Sequence, residues 1–184
     1  SWGRWSFIGR NPLLTVTSKE GAIEIEGELP HQIDTNNGML SALEDLLERY
    51  QSPEIEGLPP LHGGLIGYLG YDTVREIEEL PNIPKDDRGF PDAVMSVIGE
   101  LVAIDHWRQR AFLLVNVLLP SGAEESQIDE AYDDALNRLE VLASDGARPL
   151  DEPLMEPPSK EDDTPEVTST MQEELFTSAV ETAR

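Results

Sequence analysis

His31, His62 and His106 are the only imidazoles in this 184-residue chain, and no cysteine accompanies them. They form no H-E-x-x-H or H-x-H pair, so a structural zinc site is not expected. Without a thiol, disulfides, cysteine nucleophiles and thiolate metal centres are excluded. Asp105-His106 could supply half of a catalytic triad, but neighbours on a strand point to opposite faces. No serine sits in a G-x-S-x-G elbow either. The pair therefore reads as the polar end of a strand.

The densest glycine region is His62-Gly-Gly-Leu-Ile-Gly-Tyr-Leu-Gly-Tyr-Asp72. It lacks G-K-[ST], and its glycines do not fall at G-x-G-x-x-G spacing, so it does not read as a phosphate or dinucleotide loop. Its apolar inter-glycine residues suit a tightly packed strand, where a missing Cβ lets another backbone approach closely. Trp2, Trp5 and Phe7 place three large rings in one short segment beside Arg4. Rings at near-alternating positions are more often core than ligand cage. A pocket for a small aromatic ligand is the sharper alternative, with Arg4 or Ser6 fixing its orientation. The carboxylate clusters Glu124-Glu125, Asp129-Glu130, Asp133-Asp134 and Glu161-Asp162-Asp163 have no EF-hand spacing. Those with helical periodicity belong to a solvated face. The residues define a folded domain without a self-contained active site.

The elements that must position these groups are predominantly antiparallel. Strands are predicted at Arg4–Gly9, Leu13–Thr17 and Ala22–Glu26, with Lys19-Glu-Gly21 as a tight turn. In the third, Ile23 and Ile25 alternate with Glu24 and Glu26, the period of a sheet with one wet face. Met39, Leu40, Leu43, Leu46, Leu47 and Tyr50 repeat at helical spacing. A strand over Gly64–Leu69 precedes a short helix capped by Asp72 and closed before Pro81. Ala93–Ile98, Leu101–Asp105 and Ala111–Leu118 follow, the last two joined by a His106–Arg110 hairpin. A long helix spans about Ser126 to Ala143, with Ile128, Ala131, Tyr132, Ala135, Leu139 and Leu142 on one face. Residues 146–169, rich in proline and acid, read as a linker after a domain at 1–145. Thr170 and Glu173 form a capping-box pattern at the start of a terminal helix over 170–184. That helix meets Arg184 without a stop signal, as expected of a chain that continues.

Thirteen basic against thirty-seven acidic residues give a formal charge of −24, and 14 of those negative charges fall in residues 121–184 (18 acidic against 4 basic). Such a chain repels phosphate backbones and anionic lipid, which argues against nucleic-acid and membrane-surface binding. No apolar run is long enough to span a bilayer and no signal peptide opens the chain, so the expected compartment is the cytoplasm.

Three segments carry a resemblance. Gly3-Arg-Trp-Ser-Phe-Ile-Gly9, the run from Leu58 through the glycine-dense segment to Arg75, and Phe90-Pro-Asp92 with Asp105-His106 downstream resemble the N-terminal region of component I of anthranilate synthase. The segment Thr170–Arg184 is similar to the helix that opens that family's chorismate-binding domain. Component I of aminodeoxychorismate synthase shares much of this pattern. The resemblance implies an α+β fold: antiparallel sheets forming part of a β-sandwich, with helices packed outside. It implies a whole protein that converts chorismate and ammonia to anthranilate and pyruvate, with Mg²⁺ near the chorismate carboxylate. A glutamine amidotransferase subunit supplies the ammonia, and tryptophan inhibits. The family's Leu-Leu-Glu-Ser inhibitor segment lies upstream of Gly3, and its catalytic and Mg²⁺-binding residues lie beyond Arg184. No catalytic or metal-binding residue is therefore expected in this chain. Arg4, Trp5 and Ser6, on the strand that follows the inhibitor segment, are the expected tryptophan contacts. The alternatives are the aminodeoxychorismate synthase counterpart and a stand-alone acidic interaction module.

Overall fold

The computed structural model describes residues 3–30, 32–149, 159, 166 and 168–184. Trp2, His31, the Glu161-Asp162-Asp163 cluster and most of the proposed linker lie outside the described residues. The chain divides into two compact units, Ser1–Arg148 and Pro149–Arg184.

Unit 1 contains two antiparallel sheets. β1 (Trp5–Arg10), β6 (Glu100–Asp105) and β7 (Arg110–Val115) form a three-stranded sheet in the order β1-β6-β7. β2 (Leu14–Lys19), β3 (Ala22–Gly27), β4 (Leu65–Leu69) and β5 (Ala93–Val97) form a four-stranded sheet in the order β3-β2-β5-β4. The predicted α+β, antiparallel architecture is the one observed, and each expected strand is present within a few residues of its predicted ends.

The core follows from period-2 patterning on β2. Leu14, Val16 and Ser18 point inward and are buried, whereas Thr15 and Thr17 point to the other face. Helix α1 (Met39–Arg49) lays Met39, Ala42, Leu43 and Leu46 against this surface, at the spacing that puts side chains on one helical face. Burying each large apolar side chain there contributes roughly 1.5–3 kcal/mol. Gly38, at φ +93°, begins α1 without a side-chain cap of its own. Glu76 supplies one from a distance: its carboxylate accepts from the Met39 and Leu40 amides at 2.8 and 2.9 Å. A carboxylate on these two amides satisfies groups that no helical carbonyl can reach.

Glu76 ends a 3-10 helix over Tyr71–Glu76, shorter than the helix predicted through Glu79. Asp72 does not cap it. The helix is entered at Gly70, and Asp72 lies within the first turn, bonded to Arg75 at 2.5 Å.

The chain passes between the sheets twice, once at Asn11–Leu13 and once at Ile98–Gly99. These crossings touch. A Cβ on Gly99 would lie 1.9 Å from the Asn11 carbonyl oxygen, and the Leu13 amide donates to the Val97 carbonyl at 3.0 Å. Only glycine permits that approach.

Helix α2 (Glu125–Gly146) packs on β7. Leu142 is buried and Ala131, Ala135 and Leu139 are half-buried. Ile128 and Tyr132, predicted on the same face, are 45% and 62% exposed. Tyr132 lies about 80° from Leu142 around the axis at 100° per residue, at the margin of the apolar arc. Ile128 is aligned with the arc but belongs to the first turn, ahead of the buried part of the helix.

Unit 2 contains α3 (Glu173–Ala183). The Thr170–Glu173 capping box does not form: α3 begins at Glu173 after Gln172, and neither makes a side-chain cap. Ser169 takes the local role instead, its hydroxyl donating to the Met171 carbonyl at 2.6 Å. That competing turn holds the chain out of helix over 169–171.

Candidate functional site

The start of β1 and the end of β6 meet because the two strands run antiparallel with Trp5 opposite Asp105. Arg4, just before β1, donates from Nε to Asp105 Oδ1 at 3.1 Å and from Nη2 to Oδ2 at 2.7 Å. Asp105 is fully buried, and its Oδ1 also accepts from the Trp107 and Arg108 amides. Arg4's hydrogen bond holds the Asp105 carboxyl well below the usual carboxylate range, against the opposing push of burial. The guanidinium also lies 4.9 Å from the Trp5 ring centroid and 5.3 Å from that of Trp107, within cation–π range. Trp107 is 65% exposed, so this face is open to solvent.

Ser6 makes a separate contact, its side chain on the face of β1 opposite to Trp5. Its hydroxyl lies 2.8 Å from His106 Nε2, one residue beyond Asp105. Asp105 and His106 thus make separate attachments, Asp105 to Arg4 and His106 to Ser6. The hairpin turn over 106–109 lifts His106 out of the strand. Trp5 stacks on Phe7 at 6.2 Å and tilts against Phe112 at 6.0 Å, the ring row expected of core packing on one sheet face.

Arg4 and Trp5 are therefore brought together with Asp105 and Trp107, whereas Ser6 meets His106 in a separate contact on the other face of the strand. The first group offers a cation with unused N–H groups beside two indole rings. That set suits recognition of an aromatic molecule carrying a carboxylate. It lacks an elbow-borne nucleophile and an oxyanion hole, so it does not suit acyl transfer. Reading residues one segment at a time missed Asp105 as Arg4's partner and His106 as Ser6's. The signal that could have found them is the β1–β6 register, which needs both strands to be paired in advance.

Two clefts lie elsewhere in unit 1. One of about 390 Å³ is walled by Leu46, Leu47, Tyr50, Leu65 and Leu118, with Asn116 on its rim. The other, about 320 Å³, is lined by Phe7, Arg10, Ile66, Ser96 and Glu100. In the glycine-dense segment, a Cβ on Gly67 would lie 1.9 Å from the Val94 carbonyl oxygen. The predicted close backbone approach is thus present on β4, an edge strand, and Tyr68 OH donates to the Pro91 carbonyl at 3.0 Å. Among the described residues no three His, Asp or Glu side chains converge to hold a metal ion. The Mg²⁺ implied by the resemblance finds no ligand set in them. No described helix is long and apolar enough to cross a membrane.

Residues 4–184 match the family model for chorismate binding enzymes. The chain belongs to the chorismate-binding enzyme family. Within it, the chain is similar to component 1 of anthranilate synthase. It is 36% identical over 150 residues to that of Mycolicibacterium smegmatis, covering 82% of this chain and 28% of the relative. It is 37% identical over 153 residues to that of Mycobacterium tuberculosis, covering 82% and 30%. The chain thus spans under a third of the length of these relatives. The fold is also that of the crystal structure of anthranilate synthase component I from Streptococcus pneumoniae, with a TM-score of 0.60 at 22% identity, covering 81% of this chain and 31% of that one.

Proposed function

We propose that this chain is the N-terminal regulatory and scaffolding part of an anthranilate synthase component I. The whole protein converts chorismate and ammonia to anthranilate and pyruvate, a carbon–oxygen lyase reaction of tryptophan biosynthesis in the cytoplasm. The observation that carries the reading is the match to two curated anthranilate synthase components at 36–37% identity over four-fifths of this chain. Residues 1–145 are the N-terminal domain, 146–169 the linker, and 170–184 the first helix of the chorismate-binding domain. Catalysis and Mg²⁺ binding belong to the rest of the protein. A glutamine amidotransferase subunit delivers ammonia within a hetero-oligomer.

Tryptophan is the inhibitor in this reading, and Arg4, Trp5 and Ser6 contribute to its site. The support is chemical: a guanidinium against two indole rings matches an aromatic amino acid's carboxylate and ring. The test is complementation by the full-length gene. Growth of a tryptophan auxotroph, with anthranilate formed from chorismate by the purified protein, is the expected outcome. Rescue of a p-aminobenzoate auxotroph alone would overturn the reading.

A further inference from the structure

β1 carries the candidate inhibitor residues at its start and Arg10 at its end, roughly 20 Å away at strand rise. Arg10 reaches across two elements. Its Nε donates to Glu100 Oε2 on β6 at 2.6 Å, and its Nη1 donates to Asp145 Oδ2 on α2 at 2.6 Å. Among the described residues, Arg10–Asp145 is the one hydrogen bond or ion pair that joins β1 to α2. A displacement of β1 along its length has this side-chain route to the helix.

Each carboxylate in the network has a second arginine. Glu100 Oε1 accepts from Arg138 Nε at 3.4 Å, and Asn11 Nδ2 donates to Glu100 Oε2 at 3.2 Å. Asp145 Oδ1 lies 2.9 Å from Arg148 Nη2. Opening a buried ion pair is normally costly because it strands a charge away from water. Here Arg10 can release Asp145 while keeping Glu100, and Asp145 keeps Arg148. That separation leaves neither charge unpaired, and both side chains are partly exposed, so it avoids the cost of a stranded buried charge that a ligand's preference would otherwise have to outweigh.

We propose that the Arg10–Asp145 pair is a switchable link between β1 and α2 through which occupancy of the inhibitor end of β1 is felt by the rest of the enzyme. Arg10 and Asp145 are positioning residues, and Arg148 competes for Asp145. The proposal rests on the reading that an aromatic amino acid binds at Arg4, Trp5 and Ser6.

The test uses the full-length protein and measures the factor by which saturating tryptophan raises the KM for chorismate. Calorimetry reports tryptophan binding directly in the same samples. Asp145→Asn is expected to lower the factor at least threefold, with kcat without tryptophan and tryptophan binding itself retained. Asp145→Glu is expected to restore the factor, and Arg148→Gln to leave it unchanged or raise it by ending the competition. An unchanged factor in Asp145→Asn overturns the link, as does an equal fall in Arg148→Gln, the mark of general loosening of α2. Wild-type protein that binds no tryptophan overturns the inhibitor reading and the link with it. Wild-type inhibition that Asp145→Asn leaves intact overturns the link alone.

Discussion

Arg4 grips Asp105 through two parallel hydrogen bonds, one from Nε and one from Nη2, across the open end of the β1–β6 ladder. At the ladder's other end Arg10 stands directly opposite Glu100 and bonds it. The first and last rungs of one strand pair are thus both fastened by an arginine on β1's side and a buried carboxylate on β6. Bidentate and charge-assisted bonds of this kind fix register as well as adding energy. The same arginine that would meet a ligand's carboxylate already holds a structural one, so Arg4 and Ser6 differ as experimental targets.

Ser6→Ala is the cleaner probe of the inhibitor site, because it removes only the bond to His106. In the full-length enzyme we expect the tryptophan inhibition constant to rise severalfold with kcat within twofold. Arg4→Gln should weaken inhibition too, but with a drop in thermal stability that Ser6→Ala does not share. Inhibition constants unchanged in both variants would remove these residues from the pocket.

Acid should weaken the loop at 86–92 in a defined window. Asp86 is bonded by Lys19 and by the Gly89 and Arg88 amides, which hold its carboxyl at about 2. A carboxylate with a depressed native value contributes stability that is fully present above its unfolded value, near 4, and lost as pH falls through the native one. Urea unfolding between pH 5 and 2 should therefore show stability falling with pH. Asp86→Asn should show a shallower fall; an identical slope would assign the acid response to other groups.

Gly99→Ala should be among the more damaging small substitutions. A methyl there meets the Asn11 carbonyl oxygen at 1.9 Å, a backbone atom that cannot rotate away. Overpacking of this kind costs about 1–3 kcal/mol. Gly57→Ala makes a useful contrast: a Cβ there meets nothing within 4 Å, and its strain comes from φ +92° alone. Chemical denaturation of the pair should rank Gly99→Ala lower.

Glu76→Ala should destabilise by about 1 kcal/mol, the usual magnitude for losing an N-terminal cap. Hydrogen exchange should localise the effect to the Met39 and Leu40 amides, which lose their acceptor. Protection unchanged at both would mean that water replaces the carboxylate at no loss.

Much of this fold was legible because the strands alternate and α1 is strongly amphipathic. Ile23 and Ile25 against Glu24 and Glu26 announce β3 without any tertiary information. The failures occurred where a distant residue decided a local outcome. Gly38 carries no side-chain acceptor, so nothing near it in sequence reveals that Glu76, 38 positions on, supplies one. Asp72 and Thr170 satisfied local capping rules yet lost, Asp72 to the Arg75 pair and Thr170 to the Ser169 turn. The candidate site shows the same limit. Arg4, Trp5 and Ser6 come from one continuous segment, whereas their partners lie about a hundred residues downstream and depend on strand register.

The junction where Gly99 abuts Asn11 also dictates where the chain can grow. Two backbone segments already occupy the space between the sheets there, so one extra residue at 98–100 would throw every inward side chain of β6 to the wrong face. The exposed stretch from Pro81 to Lys85 carries no such restriction. Length differences between lineages should accumulate there and spare the seam.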